Sequence, residues 1–78
     1  MNYSYSEILD ELELQSINIQ NAYYDERKNV FYVLCVGNSE YYDKSETELK
    51  NDLVYYEHYT KEESNKIVKT LKKRITKS

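Results

Sequence analysis

Val30-Phe31-Tyr32-Val33-Leu34-Cys35-Val36 is the longest unbroken apolar run in the chain, and Gly37-Asn38 follows it directly. Seven residues of mostly β-branched and aromatic type, closed by a turn pair, read as a strand rather than a helix. Alternation puts Phe31, Val33 and Cys35 on one face and Val30, Tyr32, Leu34 and Val36 on the other. Both faces are apolar, so the strand is expected at the centre of a small sheet, with the Cys35 thiol buried.

Working outward from that strand, residues 25–29 (Asp-Glu-Arg-Lys-Asn) are wholly polar and form a hairpin connection to the segment before it. There Ile17, Ile19 and Tyr23 alternate with Asn18, Gln20 and Tyr24, a strand with one wet face. This register predicts Ile17, Ile19 and Tyr23 on the core side and Asn18, Gln20, Ala22 and Tyr24 on the other. After the central strand, Gly37-Asn38 supplies a tight turn into a short third strand, Ser39 to Asp43.

Three capping-box patterns mark helix starts: Ser4 with Glu7, Ser45 with Glu48, and Thr60 with Glu63. After the first, Tyr5, Ile8, Leu9 and Leu12 fall at helical spacing, giving a helix from Ser4 to about Leu14. After the second, Leu49, Leu53 and Tyr56 predict a helix to about His58. The β-propensity of residues 53–59 leaves a fourth strand there as the alternative. After the third, Ile67, Val68, Leu71 and Ile75 form a helical stripe, and residues 76–78 are expected to fray. The expected fold is a single small α+β domain over residues 1–78, in the order α-β-β-β-α-α, with a three-stranded antiparallel meander.

Seventy-eight residues place the chain near the size at which one core is marginally sufficient. Cys35 is the only cysteine, so no disulfide assists, and a lone thiol in an apolar strand fits a reducing cytoplasm. No secretory or membrane-spanning run is present in the sequence. Ten Tyr, nine Lys against two Arg, one Gly and neither Pro nor Trp match A/T-rich codons, as in a low-GC bacterium or its phage.

The net charge of −3 conceals a split. Residues 1–63 hold all 14 acids and five bases, for −9, whereas residues 64–78 hold six bases and no acid, for +6. A basic last helix could meet nucleic-acid phosphates, but the acidic body would repel the same polyanion. Only two arginines are available for bidentate contacts. Direct nucleic-acid binding is therefore disfavoured, and a solvated helix face with cations at its C-terminal end accounts for the lysines.

Three tyrosine doublets stand beside acids: Tyr23-Tyr24 before Asp25-Glu26, Tyr41-Tyr42 between Glu40 and Asp43, and Tyr55-Tyr56 before Glu57. On a strand each doublet exposes about one ring. The plain reading is that one ring fills the core and codon usage supplies the other. The functional reading makes these eleven residues an acidic, Tyr-rich partner-binding surface. Tyr buries a large rigid area while keeping a polar tip, and carboxylates beside it suit a basic partner.

Cys35 and His58 are the only soft nucleophile and the only imidazole, and a mid-strand thiol is not where thiolates are activated. One Cys and one His do not make a zinc tetrad, and one Gly does not make a phosphate loop. The sequence thus implies no enzyme, no cofactor and no metal. In size, acidity and Tyr/Asp/Glu-rich character the chain resembles phage-encoded inhibitors of host defence nucleases, the anti-CRISPR class among them. That resemblance covers general character, assigns no individual residue, and implies occupation of a basic nucleic-acid-binding groove on a host enzyme. A nucleic-acid-binding accessory protein using the basic helix and a homo-oligomeric module are the rival readings.

Overall fold

The computed structural model describes residues 4–73. In chain order it contains α1 (Tyr5–Glu11), β1 (Ile19–Asp25), β2 (Val30–Cys35), β3 (Tyr42–Lys44), α2 (Glu46–Tyr55) and α3 (Lys61–Lys73). The strands form one antiparallel sheet in the order β1-β2-β3, with β2 in the centre. This is the α+β fold and element order expected from the sequence. Ile75 and residues 76–78 lie outside the described residues.

Each helix begins where a side chain can satisfy backbone N–H groups that have no intrahelical acceptor. Ser4 Oγ accepts from the Glu7 N–H at 3.2 Å. Ser45 and Glu48 form a reciprocal box, at 3.2 and 2.9 Å, and Thr60 and Glu63 form another, at 3.0 and 2.9 Å. The helix ends are equally local. Glu13 takes the left-handed conformation, with φ 58°. Its N–H returns to Asp10 and that of Leu14 to Leu9, a Schellman closure that brings Leu14 back against the core.

At the end of α2, His58 turns left-handed (φ 61°) and the Tyr59 N–H bonds the Leu53 carbonyl at 3.1 Å. Residues 53–59 are therefore a helix end and a turn, and the alternative of a fourth strand is corrected. Leu49 and Leu53, one turn apart, both reach the core without exposed surface, and that burial outweighs the local β-propensity.

All three helices pack on one face of the sheet. The core joins Tyr5, Ile8 and Leu9 of α1, Leu49 and Leu53 of α2, and Ile67, Val68 and Leu71 of α3 to Ile19, Ala22, Phe31 and Val33. Ser64, also buried, lets α3 approach α2 closely and donates its hydroxyl to the Lys50 carbonyl at 3.1 Å. Among the described residues no helix lies over the opposite sheet face.

The register of β1 departs from simple alternation. Ile19 pairs with Cys35 but Asn21 pairs with Leu34, so Gln20 is an extra, bulged residue. Parity flips there: Ile19, Ala22 and Tyr24 face the helices, and Asn21 and Tyr23 face outward. Tyr23 in the core and Tyr24 outside, as alternation predicts, are thus exchanged. Ile17 precedes the strand and is exposed rather than buried. Cys35 ends β2 and is only half-buried, because the strand stops one residue before Val36. The third strand starts at Tyr42 rather than Ser39, since residues 36–41 are spent on the turn after Gly37, which has φ 87°.

Charge links the helices. Glu46, in the first turn of α2, meets Lys72 of α3 at 2.8 Å and Lys50 at 3.0 Å. These lysines, Lys72 first, hold the Glu46 carboxyl below the usual carboxylate range, and the Ser45 backbone N–H does the same for Glu48. A carboxyl with a lowered folded-state pKa stabilises the fold above its ordinary titration near 4.5. That contribution disappears as pH falls through the folded value. The urea midpoint is therefore expected to hold between pH 6 and pH 5 and to drop below about pH 4.5. Glu46→Gln should start from a lower midpoint and lose less on acidification, measured by tyrosine fluorescence across a pH series.

Candidate functional site

The face without helices carries three tyrosine rings in contact. Tyr23 and Tyr32 are directly opposite each other across β1 and β2, with ring centroids 5.2 Å apart. Tyr41 reaches over from the β2–β3 connection to stand edge-on to Tyr23 at 5.4 Å. Its hydroxyl accepts from Asn21 Nδ2 at 2.7 Å, which fixes the ring over the sheet. Tyr23 is the centre of the cluster and remains 46% exposed. Partial burial, followed by Tyr32 and Tyr41, pushes its phenol above the ordinary range.

The acids are distributed unevenly around the rings. Asp43 pairs across the sheet with Tyr32 and so projects on the same face, and its carboxylate has no ion pair or hydrogen bond among the described residues. Glu40 is exposed in the connection that delivers Tyr41. No base occurs between Val36 and Asp43, so this side is acidic. At the hairpin end, Asp25 and Glu26 are followed by Arg27 and Lys28, and the charges balance. Asp25 Oδ1 accepts from the Arg27 and Lys28 backbone N–H groups at 3.0 and 3.3 Å, which makes it a turn former.

Of the eleven residues expected to form one surface, the structure gathers Tyr23, Tyr41 and Asp43 on the open face, with Glu40 beside them. Sequence reasoning passed over Tyr32, which joins them, because a single tyrosine in an apolar strand gives no signal of exposure. Tyr24 faces the helices instead. Its ring packs on Phe31 at 4.7 Å, its hydroxyl donates to Asn29 Oδ1 at 2.7 Å, and Lys72 Nζ lies 5.8 Å from the ring centroid. Tyr42 is exposed but pairs with Val33 on the helix side of the sheet's edge. Tyr55 and Tyr56 are exposed elsewhere, edge-to-face at 5.0 Å, beside an open groove of about 560 Å³ between α2 and α3.

Glu57 is the clearest correction: expected on the surface, it is 2% exposed. Its carboxylate accepts the backbone N–H groups of Ile17 and Ile19, each at 2.6 Å, and of Asn18 at 3.0 Å. Ser16 Oγ donates to it at 2.9 Å. The bonds on either side reinforce the clasp, with Asn18 Nδ2 donating to the Tyr56 carbonyl at 2.8 Å and Tyr59 Oη to the Gln15 carbonyl at 2.6 Å. The Tyr5 hydroxyl is buried in the same region without a hydrogen-bond partner among the described residues. Burial, then Tyr59 and Glu57, push its ionisation far above the phenol range. No local signal marks Glu57, because its partners stand 38 to 41 residues away.

Among the described residues no three His, Cys, Asp or Glu side chains are grouped to hold a metal, and no helix is long and apolar enough to cross a membrane. Cys35 ends a strand and His58 sits in the α2–α3 turn.

The clasp gives a direct stability test. Glu57→Gln keeps the shape but replaces an acceptor oxygen with a donor aimed at backbone N–H groups. It is expected to cost about 2–4 kcal/mol, since buried donors lose a charged acceptor. In urea unfolding the midpoint should fall sharply, and a loss below about 0.5 kcal/mol would refute the role assigned to the carboxylate.

No protein-family model, curated protein or solved structure matches this chain, so its functional reading rests on the chemistry of its own faces.

Proposed function

We propose that the chain is a non-enzymatic, protein-binding inhibitor that docks through the uncovered sheet face. The observation that carries this reading is the contiguous Tyr23–Tyr32–Tyr41 cluster, left without a helix over it and bordered by Glu40 and Asp43. An exposed aromatic centre with a polar rim is the usual anatomy of a protein-binding patch. The acids select a basic partner, and a nucleic-acid-binding groove is a basic concavity of complementary charge. Occupation of such a groove on a host defence nuclease, by a protein of phage origin acting in the host cytoplasm, is the most concrete form of the proposal. It agrees with the anti-CRISPR-like size and composition.

The rival, direct nucleic-acid binding through α3, loses support from the same geometry. Lys72 is committed to Glu46 and to the Tyr24 ring, and Lys66 pairs with Glu62. On the β3 side the exposed rings are bordered by Glu40 and Asp43, which would repel the phosphates of a nucleic acid whose bases stacked there.

The test uses the tagged protein and a nuclease recovered with it from host lysate. Tyr23→Ala combined with Tyr41→Ala should weaken binding by ~2 kcal/mol or more, roughly thirtyfold in Kd, and release nuclease activity. Tyr55→Ala should change little. A double variant that folds normally and inhibits as well as the parent would refute the docking face. Tight, salt-sensitive DNA binding by the chain itself would transfer the function to α3.

A further inference from the structure

The protein already contains one completed cation site built from tyrosine and carboxylate. On the helix side, Lys72 Nζ stands 5.8 Å from the Tyr24 ring centroid while pairing with Glu46 Oε1 at 2.8 Å. Ring and carboxylate there hold the cation together, each supplying what the other lacks: a broad electron-rich face and a directed acceptor.

The open face repeats the two acceptors without the cation. Asp43 lies directly across from Tyr32, its carboxylate unpaired among the described residues, and Tyr23 and Tyr41 extend the aromatic surface beyond it. Lys44 follows Asp43 directly, but it pairs across the sheet with Phe31 on the helix side and is held by Asp52 at 2.8 Å, so it does not neutralise Asp43 on the open face. Tyr32 and Tyr23 are tilted by only 32°, which offers two neighbouring ring faces instead of a closed T-shaped pair. A flat ligand group fits this arrangement better than a round one.

Resting on the docking face proposed above, we infer that this face selects arginine over lysine in its partner. A guanidinium stacks on the Tyr32 or Tyr23 ring and directs two parallel N–H groups at the Asp43 carboxylate. A lysine ammonium is more strongly hydrated and offers no flat surface, so it gains from the charge but not from the stack. The partner therefore presents an Arg-bearing segment, and recognition depends on planarity as well as charge.

The experiment titrates the intact protein with two short peptides of equal length and net charge. One carries Arg and the other Lys at every basic position, and binding is read by calorimetry at near-physiological salt. The Arg peptide is expected to bind at least ~10-fold tighter. Asp43→Asn, an exposed and isosteric change, should weaken the Arg peptide by about tenfold and bring the two peptides near parity. Tyr32→Leu, checked for folding by circular dichroism, should do the same. Equal affinities in the parent, a ratio unmoved by Asp43→Asn, or no binding of either peptide would overturn the inference. If the two peptides bind equally and Tyr23→Ala abolishes both, arginine selection falls while the docking face stands. If they bind and Tyr23→Ala affects neither, the face itself falls.

Discussion

The buried carboxylate of Glu57 is the constraint on which the remaining geometry depends. A charge taken out of water is tolerated only when hydrogen bonds replace its hydration, and here three backbone N–H groups and a serine hydroxyl do so. The same bonds satisfy the backbone donors of Ile17, Asn18 and Ile19 at the entry to β1. Donors and acceptor thus solve each other's desolvation problem, and the chain before the sheet is locked to the turn between α2 and α3. That lock decides where β1 begins. Ile19 is held into the core at its first position, and the bulge at Gln20 then sets the direction of every later side chain in the strand.

From this follows the contrast between the two sheet faces. Three helices cover one face, and among the described residues no further element covers the other. An antiparallel sheet can leave one face in water when that face is not uniformly aliphatic. Val30, Tyr32 and Leu34 are each half-buried there, shielded by neighbouring side chains rather than by a helix. Tyrosine suits such a place because its ring covers its neighbours while its hydroxyl stays hydrated. The charge pattern follows the same division. One lysine of the basic helix folds back onto Glu46, whereas Glu40 and Asp43 make no ion pair among the described residues.

Much of the fold was legible because its determinants are local. Ser4, Ser45 and Thr60 each begin a helix by bonding three residues ahead, and a four-residue motif can be read without knowing anything else. The central strand declared itself by composition alone. What escaped reading was whatever depended on distant partners or on an unmarked irregularity. Glu57 sits among tyrosines and acids and resembles a surface residue, since its donors lie some 40 residues earlier. The bulge at Gln20 carries no glycine to announce it, and the error it introduced passed to every assignment downstream. Simple alternation therefore places Tyr24 outside and Tyr23 inside, the reverse of the structure. The placing of tyrosines beside acids is legible in the sequence, but that one sheet face stays open, with Tyr23 at its centre, is not.

The bulge and the doublet together suggest why two tyrosines stand side by side in β1. In a strand, inserting or deleting one residue reverses the facing of all that follow, an error that normally turns a core inside out. A pair of identical residues is indifferent to that reversal: whichever way the strand faces, one ring goes inward to Phe31 and its twin goes outward to Tyr32. The same reversal would still turn Ala22 outward and carry Asn21 into the core, so the doublet preserves the aromatic contacts on both faces while the small residue before it is what fixes the strand's facing.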